Sequence, residues 1–291
     1  MNNMRKMALL LLLAAASNSA TAQNEVIRLQ AGQAFTLHSR VEAVGTGLPP
    51  KYQWYRDGSP IEGATSPDYT IPAGQAVGSN VEFKRAAYTD GCAERMFTNT
   101  ITITWCNLLI NGVCWADANV AQPGTFAPRP DMYTEFYQWN QPNKAWPATG
   151  SVTGWITGNN APSWTATPCP EGWRLPTRTE IQRLHNAGHT YATAGTRGLA
   201  TGINGRFYGP NHATCSLPNT MTGCVFLSAS GGRAAADGEP YEYGTGGNFW
   251  TSTPGTATTT GYGGYQLYFT PTASGNNTVA IQSGRSVRCV Q

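Results

Sequence analysis

His185 and His189, four residues apart, are the first pair in this 291-residue chain whose types and spacing can do chemistry. On one helix face they would offer two imidazoles to a metal ion. No Glu stands between them to act as a base, and Gly188 marks the end of the helical pattern, so a polar helix end is the stronger reading. Glu171, Glu180, Asp237, Glu239 and Glu242 supply carboxylates for a glycosidase pair, which needs two of them placed across one sugar. The chain has no Gly-x-Ser-x-Gly elbow, no Gly-x-x-x-x-Gly-Lys loop and no His-Glu-x-x-His. The expectation is a protein that is not an enzyme, with no catalytic residue, no metal and no cofactor.

What remains is a binding surface. Arg233, Tyr241, Tyr243, Asn248, Thr251, Thr253, Tyr262, Gln266 and Tyr268 mix rings with hydrogen-bonding groups in a loop-rich stretch. Tyrosine combined with Asn, Ser and Gly gives contact area at low entropic cost. In Tyr265-Gln266-Leu267-Tyr268-Phe269 the alternation predicts a strand with Leu267 and Phe269 buried and Gln266 and Tyr268 facing solvent. Those two are the sharper ligand-binding candidates, while Trp250 and Leu267 are read as core.

Other elements must hold this surface. Thr177 follows Pro176 and precedes Glu180 by three residues, which is a capping box and predicts a helix start. Ile181 and Leu184 give that helix one apolar stripe, and Gly188 ends it. Ser286-Val287-Arg288-Cys289-Val290 alternates as a strand does, and Thr256 to Gly264 reads as a Thr/Gly-rich loop.

The front of the chain reads as a secretion signal over residues 1–22: Arg5 and Lys6, an apolar run from Met7 through Ala16, then the small-residue site Ala20-Thr21-Ala22. The run is too short to span a bilayer and none like it follows, so no membrane span is expected. The first cysteine is Cys92, leaving none at the cleavage site for a lipid. The expected location is secreted: periplasmic, extracellular or at the cell surface. The charge surplus of 3, from 19 basic and 16 acidic residues, falls to 1 once Arg5 and Lys6 leave with the signal. That balance favours neither nucleic acid nor an anionic membrane. Only 12% of residues are charged, so solubility rests on neutral polar groups, a surface suited to sugars or proteins.

Length argues for two domains with a boundary near Cys106. Residues 23–106 look like an all-β immunoglobulin-like sandwich, with Tyr52-Gln53-Trp54-Tyr55-Arg56-Asp57-Gly58 as the Trp-bearing strand and turn and Ile101-Thr102-Ile103-Thr104-Trp105 as the closing strand. No cysteine precedes Trp54, so the usual inter-sheet bridge is absent. This domain reads as a spacer.

Residues 107–291 resemble the Fibrobacter succinogenes major paralogous domain. Four separated strings carry the resemblance: Asn111-Gly112-Val113-Cys114-Trp115-Ala116, Cys169-Pro170-Glu171-Gly172-Trp173-Arg174-Leu175-Pro176-Thr177, Asn248-Phe249-Trp250-Thr251-Ser252-Thr253, and Gly284-Arg285-Ser286-Val287-Arg288-Cys289-Val290. The resemblance implies a C-type-lectin-like α+β fold on secreted or surface proteins of Gram-negative bacteria. Calcium-dependent lectins of that fold use a Glu-Pro-Asn or Gln-Pro-Asp tripeptide followed by Trp-Asn-Asp. Gln141-Pro142-Asn143 lies too far upstream, Glu239-Pro240-Tyr241 lacks the amide, and no Trp-Asn-Asp follows either. The fold also hosts formylglycine-generating enzymes, but no matching motif surrounds Cys289. Seven cysteines in an oxidising compartment allow three bridges and one thiol. Since lectin-like folds bring their ends together, the resemblance implies Cys114 with Cys289; Cys215 with Cys224 would close a local loop. Cys92 with Cys106 would close the first domain, leaving Cys169 odd. The resulting expectation is a secreted, adhesin-like binding protein for a glycan or extracellular protein ligand. Its alternatives are a structural or tip subunit of a surface appendage, or a receptor-binding protein whose residues 246–290 are diversified by a retroelement.

Overall fold

A computed structural model describes residues 25–30, 34–38, 49–73, 81–89, 95–98, 100–217, 222–258 and 261–291. The expected signal over residues 1–22 and the expected partner of Cys106, Cys92, lie outside them. The chain divides into two compact units, residues 1–106 and 107–291. Among the described residues it is mostly β-sheet with one short helix. Among the described residues no helix is long and apolar enough to cross a membrane.

Unit 1 holds β1 (Glu25–Gln30), β2 (Phe35–His38), β3 (Lys51–Arg56), β4 (Ser59–Pro60), β5 (Asp68–Ile71), β6 (Val81–Tyr88), β7 (Met96–Phe97) and β8 (Ile101–Cys106). One sheet runs β1-β8-β6-β3-β4 with β7 beside β6, and β2 pairs with β5 in another. Asp57 and Gly58 close the β3–β4 hairpin with φ of 47° and 80°, the left-handed conformation that a two-residue turn of this hand demands. Alternation along β6 turns Val81 and Phe83 inward and Glu82 outward. Trp54, Phe83, Ile103, Leu37 and Ile71 share one core between the strands of both sheets. Trp54 is fully buried and its indole donates to the Ser66 carbonyl at 3.1 Å, so the ring is a core residue.

Unit 2 holds β9 (Leu108–Ile110), β10 (Val113–Trp115), β11 (Tyr137–Gln138), α1 (Arg178–Asn186), β12 (His189–Ala192), β13 (Gly205–Tyr208), β14 (Val225–Ser228), β15 (Gly232–Arg233), β16 (Pro240–Tyr241), β17 (Gly247–Thr258), β18 (Gly261–Phe269), β19 (Ser274–Ala280) and β20 (Gly284–Arg285). Its sheets are β9–β10, β11-β20-β15-β16, β12-β13-β14 and β17-β18-β19. In the stretch expected as a Thr/Gly-rich loop, residues 256–258 instead end β17 and residues 261–264 start β18; residues 259–260 lie outside the described residues.

The capping box is present. Thr177 Oγ1 accepts from the Glu180 amide while Glu180 reaches back to the Thr177 amide, and α1 begins there. Ile181 and Leu184 are its buried residues, and the chain leaves the helix through Gly188 at φ 104°. Thr253 accepts from the Arg178 amide at 2.9 Å, so a β17 hydroxyl satisfies another amide of the first turn.

The β17-β18-β19 sheet is covered on both faces, and this is where the alternation argument fails. Phe249, Leu267 and Phe269 join Ile181 and Leu184 in one core. Trp250, on the opposite face, joins Trp139, Cys169, Val287 and Cys289 in another. Gln266 pairs with Trp250 across the ladder and is therefore buried, 4% exposed, rather than facing solvent. Gly264 is required beneath this second core, since a Cβ there would lie 2.5 Å from the Trp139 ring.

The terminal segment also departs from expectation. Residues 286–290 are all buried and pass between three partners instead of forming a one-sided strand. Ser286 exchanges backbone hydrogen bonds with β17, and Val290 bridges both Trp115 and Arg174. Trp115 sits opposite Val290, and the Ala116 amide donates to the Cys289 carbonyl. The register therefore puts Cys114 beside Gln291, two residues away from Cys289. Cys289 bonds Cys169 instead, which corrects both the Cys114–Cys289 expectation and the reading of Cys169 as odd. Cys215 is bonded to Cys224, and Cys106 and Cys114 each carry a disulfide as well.

Candidate functional site

The sequence candidates separate into two groups. Arg233, Asn248, Gln266 and the half-buried Tyr241 come together in a polar layer inside the protein, built from β15, β16, β17, β18 and β20. Arg233 is fully buried and donates to the carbonyls of Pro147 (2.7 Å), Thr149 (3.1 Å), Gly150 (2.8 Å) and Gly238. Arg285, 3% exposed, donates to the Gln266 amide oxygen and to the Arg233 carbonyl, with its guanidinium 5.5 Å from the Tyr241 ring. Asn248 donates to Gly231 at 3.2 Å. Burial pulls both guanidiniums below their ordinary pKa, and carbonyls and an amide, rather than carboxylates, supply their hydrogen bonds. Arg288 behaves alike: it is buried against Asn119, Ala116 and Phe226 oxygens, and burial lowers its pKa to about 9. The arginines of the terminal motif therefore fasten loops, which corrects their neighbours Arg233, Asn248 and Gln266 as surface contacts.

Thr253 is occupied with the α1 amide. Tyr268 is half-buried and packs over Gly275, where a Cβ would lie 3.0 Å from its hydroxyl. Tyr262 is exposed at the start of β18. Thr251 is buried, its hydroxyl donating to the Tyr265 carbonyl.

Tyr243 alone of the candidates lies in an exposed aromatic cluster. It is 47% exposed, and its ring meets Tyr133 edge-on at 4.8 Å and 67°. The neighbouring Met132 is 38% exposed, and Tyr191 closes the group from β12 by donating to the Thr245 carbonyl at 3.0 Å. The loops beneath are braced. Tyr133 donates to Gly202 and accepts from the Asn204 amide, both at 3.0 Å, and Asn204 donates to Gly244 at 2.7 Å. Asp131, 2% exposed, takes both arms of Arg129 and the Ala200 amide. Glu242, in the left-handed region at φ 54°, starts a turn whose Gly246 amide bonds its carbonyl. Sequence reading missed Met132, Tyr133 and Tyr191, because no periodicity or motif marks a loop tyrosine whose neighbour arrives from another loop.

Burial raises the pKa of Tyr133 and of Tyr191, so both phenols are neutral near pH 7. Tyr133 spends its hydroxyl on internal partners, which removes it as an acid or nucleophile and leaves its ring. Tyr243 adds an open ring; the adjacent Glu242 is an exposed residue whose Oε2 lies 3.5 Å from Asn248 Nδ2. Such an arrangement can stack on a flat or apolar face and hydrogen-bond its rim.

The remaining chemical candidates do not assemble. Glu180 is held by Arg174 at 2.6 and 2.8 Å and by the Thr177 amide. Asp237 accepts from the Glu239 amide at 3.0 Å, a local turn contact. His185 closes α1 while His189 opens β12, so they do not share a helix face, although their rings lie 4.8 Å apart. Among the described residues no three His, Cys, Asp or Glu side chains are grouped to hold a metal ion.

A mostly β-sheet unit with one capped helix, clasped by its own terminal motif, is the frame on which these tyrosines sit. The family model of the Fibrobacter succinogenes major domain matches residues 51–291, and the chain belongs to that family. The match begins inside unit 1, well before the first of the four strings at Asn111. A search of the curated proteins finds no match.

Proposed function

We propose that this is a secreted or cell-surface binding protein that recognises a glycan or an extracellular protein through the Tyr133–Tyr243 surface. In this reading unit 2 is a C-type-lectin-like head, unit 1 an immunoglobulin-like spacer, and residues 1–22 the export signal. No cofactor, nucleic acid or catalytic step enters it. The observation that carries the reading is the exposed Tyr243 ring, packed edge-on against Tyr133 over loops fixed by Asn204 and Asp131. A contact surface held rigid before the ligand arrives loses little entropy on binding, and open tyrosines supply area and a polar rim. The disulfides fit an oxidising compartment. The test is binding of the oxidised chain to a glycan array and to extracellular proteins, with Tyr243→Ala alongside and EDTA as a control. A specific hit lost in Tyr243→Ala supports the reading, and a hit unchanged in that variant overturns this location.

A second reading, a subunit of a surface appendage, is favoured by Met96 and Phe97. These adjacent residues of β7 are 65% and 55% exposed, beside Tyr55 at 5.4 Å from the Phe97 ring. A blank on both arrays from folded protein, together with concentration-dependent self-association lost in Phe97→Ser, would move the assignment to assembly.

A further inference from the structure

We infer that His185, His189 and Arg206 form an acid-labile latch that ties the β12–β13 hairpin to α1 and to the turn after β18, closed near neutral pH and loosened when His189 takes up a proton. The register places His189 opposite Tyr208 and Tyr191 opposite Arg206, so these four side chains share one face of the hairpin. Arg206 is 5% exposed. Its Nη2 donates to the Thr270 and Pro271 carbonyls at 2.7 and 3.2 Å, and its Nη1 lies 2.7 Å from His189 Nδ1. A guanidinium has only donors, so His189 Nδ1 must be the acceptor and must carry no proton. The closed arrangement therefore exists only with neutral His189.

Among the described residues the surroundings contain no compensating charge. From α1 the His185 ring approaches to 4.8 Å, and its Nε2 is buried with no hydrogen-bond partner. From β13 Tyr208 lies 5.5 Å from His189, fully buried, with its hydroxyl on Ser274 of β19 at 2.7 Å. On the same face of β12, Tyr191 has its ring 5.7 Å from the Arg206 guanidinium. From the loop after β13, His212 bonds Thr190 on the far face at 2.6 Å and also acts on His189. Phe269 of β18 contributes only its ring, 5.9 Å from the guanidinium. A proton on His189 therefore meets one permanent cation and two further imidazoles, and none of the charged groups acting on it is a carboxylate.

Burial first, then Arg206, His185 and His212, hold His189 below its ordinary 6.5. The sign follows. A histidine depressed on folding leaves the unfolded chain binding more protons below 6.5, so the contribution is fully present above 6.5 and is lost as pH falls towards the folded value. The latch opens in acid and not in base.

The test is hydrogen exchange on the full chain, corrected for intrinsic rates, following the amides of 189–208 with β6 of unit 1 as the internal reference. Between about pH 7 and about pH 5, protection of 189–208 should fall several-fold more than that of β6. His189→Asn, whose Oδ1 is carried on Cγ as Nδ1 is and does not titrate, should abolish that excess. An equal fall in wild type and His189→Asn overturns the latch. If the variant does not fold, imidazole titration by NMR on the wild type decides: a His189 midpoint at or above 6.5 overturns it, and one below 6.5 that rises in His185→Gln supports it.

Discussion

The Gln266 amide oxygen accepts from Arg285 Nε inside the protein, while the Gln266 amide nitrogen holds Asn277 of the neighbouring strand at 2.9 Å. One side chain thereby joins β18, β19 and β20. Gln266→Ala leaves a buried guanidinium short of an acceptor and should cost about 2 to 3 kcal/mol. Chemical denaturation should show the loss, with no effect on ligand contact at Tyr243 that cannot be traced to stability.

Cys169 and Cys289 close a loop with a sequence separation of 120, so their bridge constrains the unfolded chain over most of unit 2. By the loop-entropy account, Cys169→Ser should lower stability by about 4 to 5 kcal/mol, more than loss of Cys215–Cys224, which closes a separation of 9. Denaturation midpoints of the two serine variants in parallel would check the order.

Burial raises the Glu180 carboxyl, but hydrogen bonds from Arg174 and Thr177 outweigh it and leave it below the ordinary 4.5. A depressed carboxylate gives stability that is present above 4.5 and lost as pH falls through the folded value. Glu180→Gln keeps the cap geometry but not the charge pair, so wild type should exceed it by no more than about 1 kcal/mol near neutrality, after allowing for screening of the half-exposed Arg174. The gap should close as the denaturation series is carried into acid.

Tyr133→Phe removes the hydroxyl that joins Gly202 to Asn204 but keeps the ring against Tyr243. It should cost stability, about 1 to 2 kcal/mol, while sparing much of the ligand contact. Tyr243→Ala should do the reverse, with a near-native midpoint and a loss of binding of about tenfold or more. Binding and denaturation measured on both variants would separate brace from contact.

What the sequence revealed was local. The capping box at Thr177 and Glu180, the Ile181–Leu184 stripe and the turn at Asp57-Gly58 each depend on residues within a few positions of one another, and each is found. The alternation at 265–269 placed Leu267 and Phe269 correctly and Gln266 wrongly, because one strand cannot report that a second core covers its other face. The terminal string hid its nature for the same reason: Arg285 and Arg288 read as polar, yet each is buried among oxygens contributed by distant segments. The proposed contact surface was legible only at Tyr243, whose neighbours Tyr133 and Tyr191 arrive from elsewhere in the chain.

The path of residues 286–290 between β17, β10 and Arg174 also bears on which parts of unit 2 can come apart separately. One short segment supplies backbone partners to β17, to Trp115 and Ala116 and to Arg174, so none of these separates from the others without breaking its hydrogen bonds. The segment works as a keystone, and its release should open several parts of unit 2 in one step rather than piecemeal.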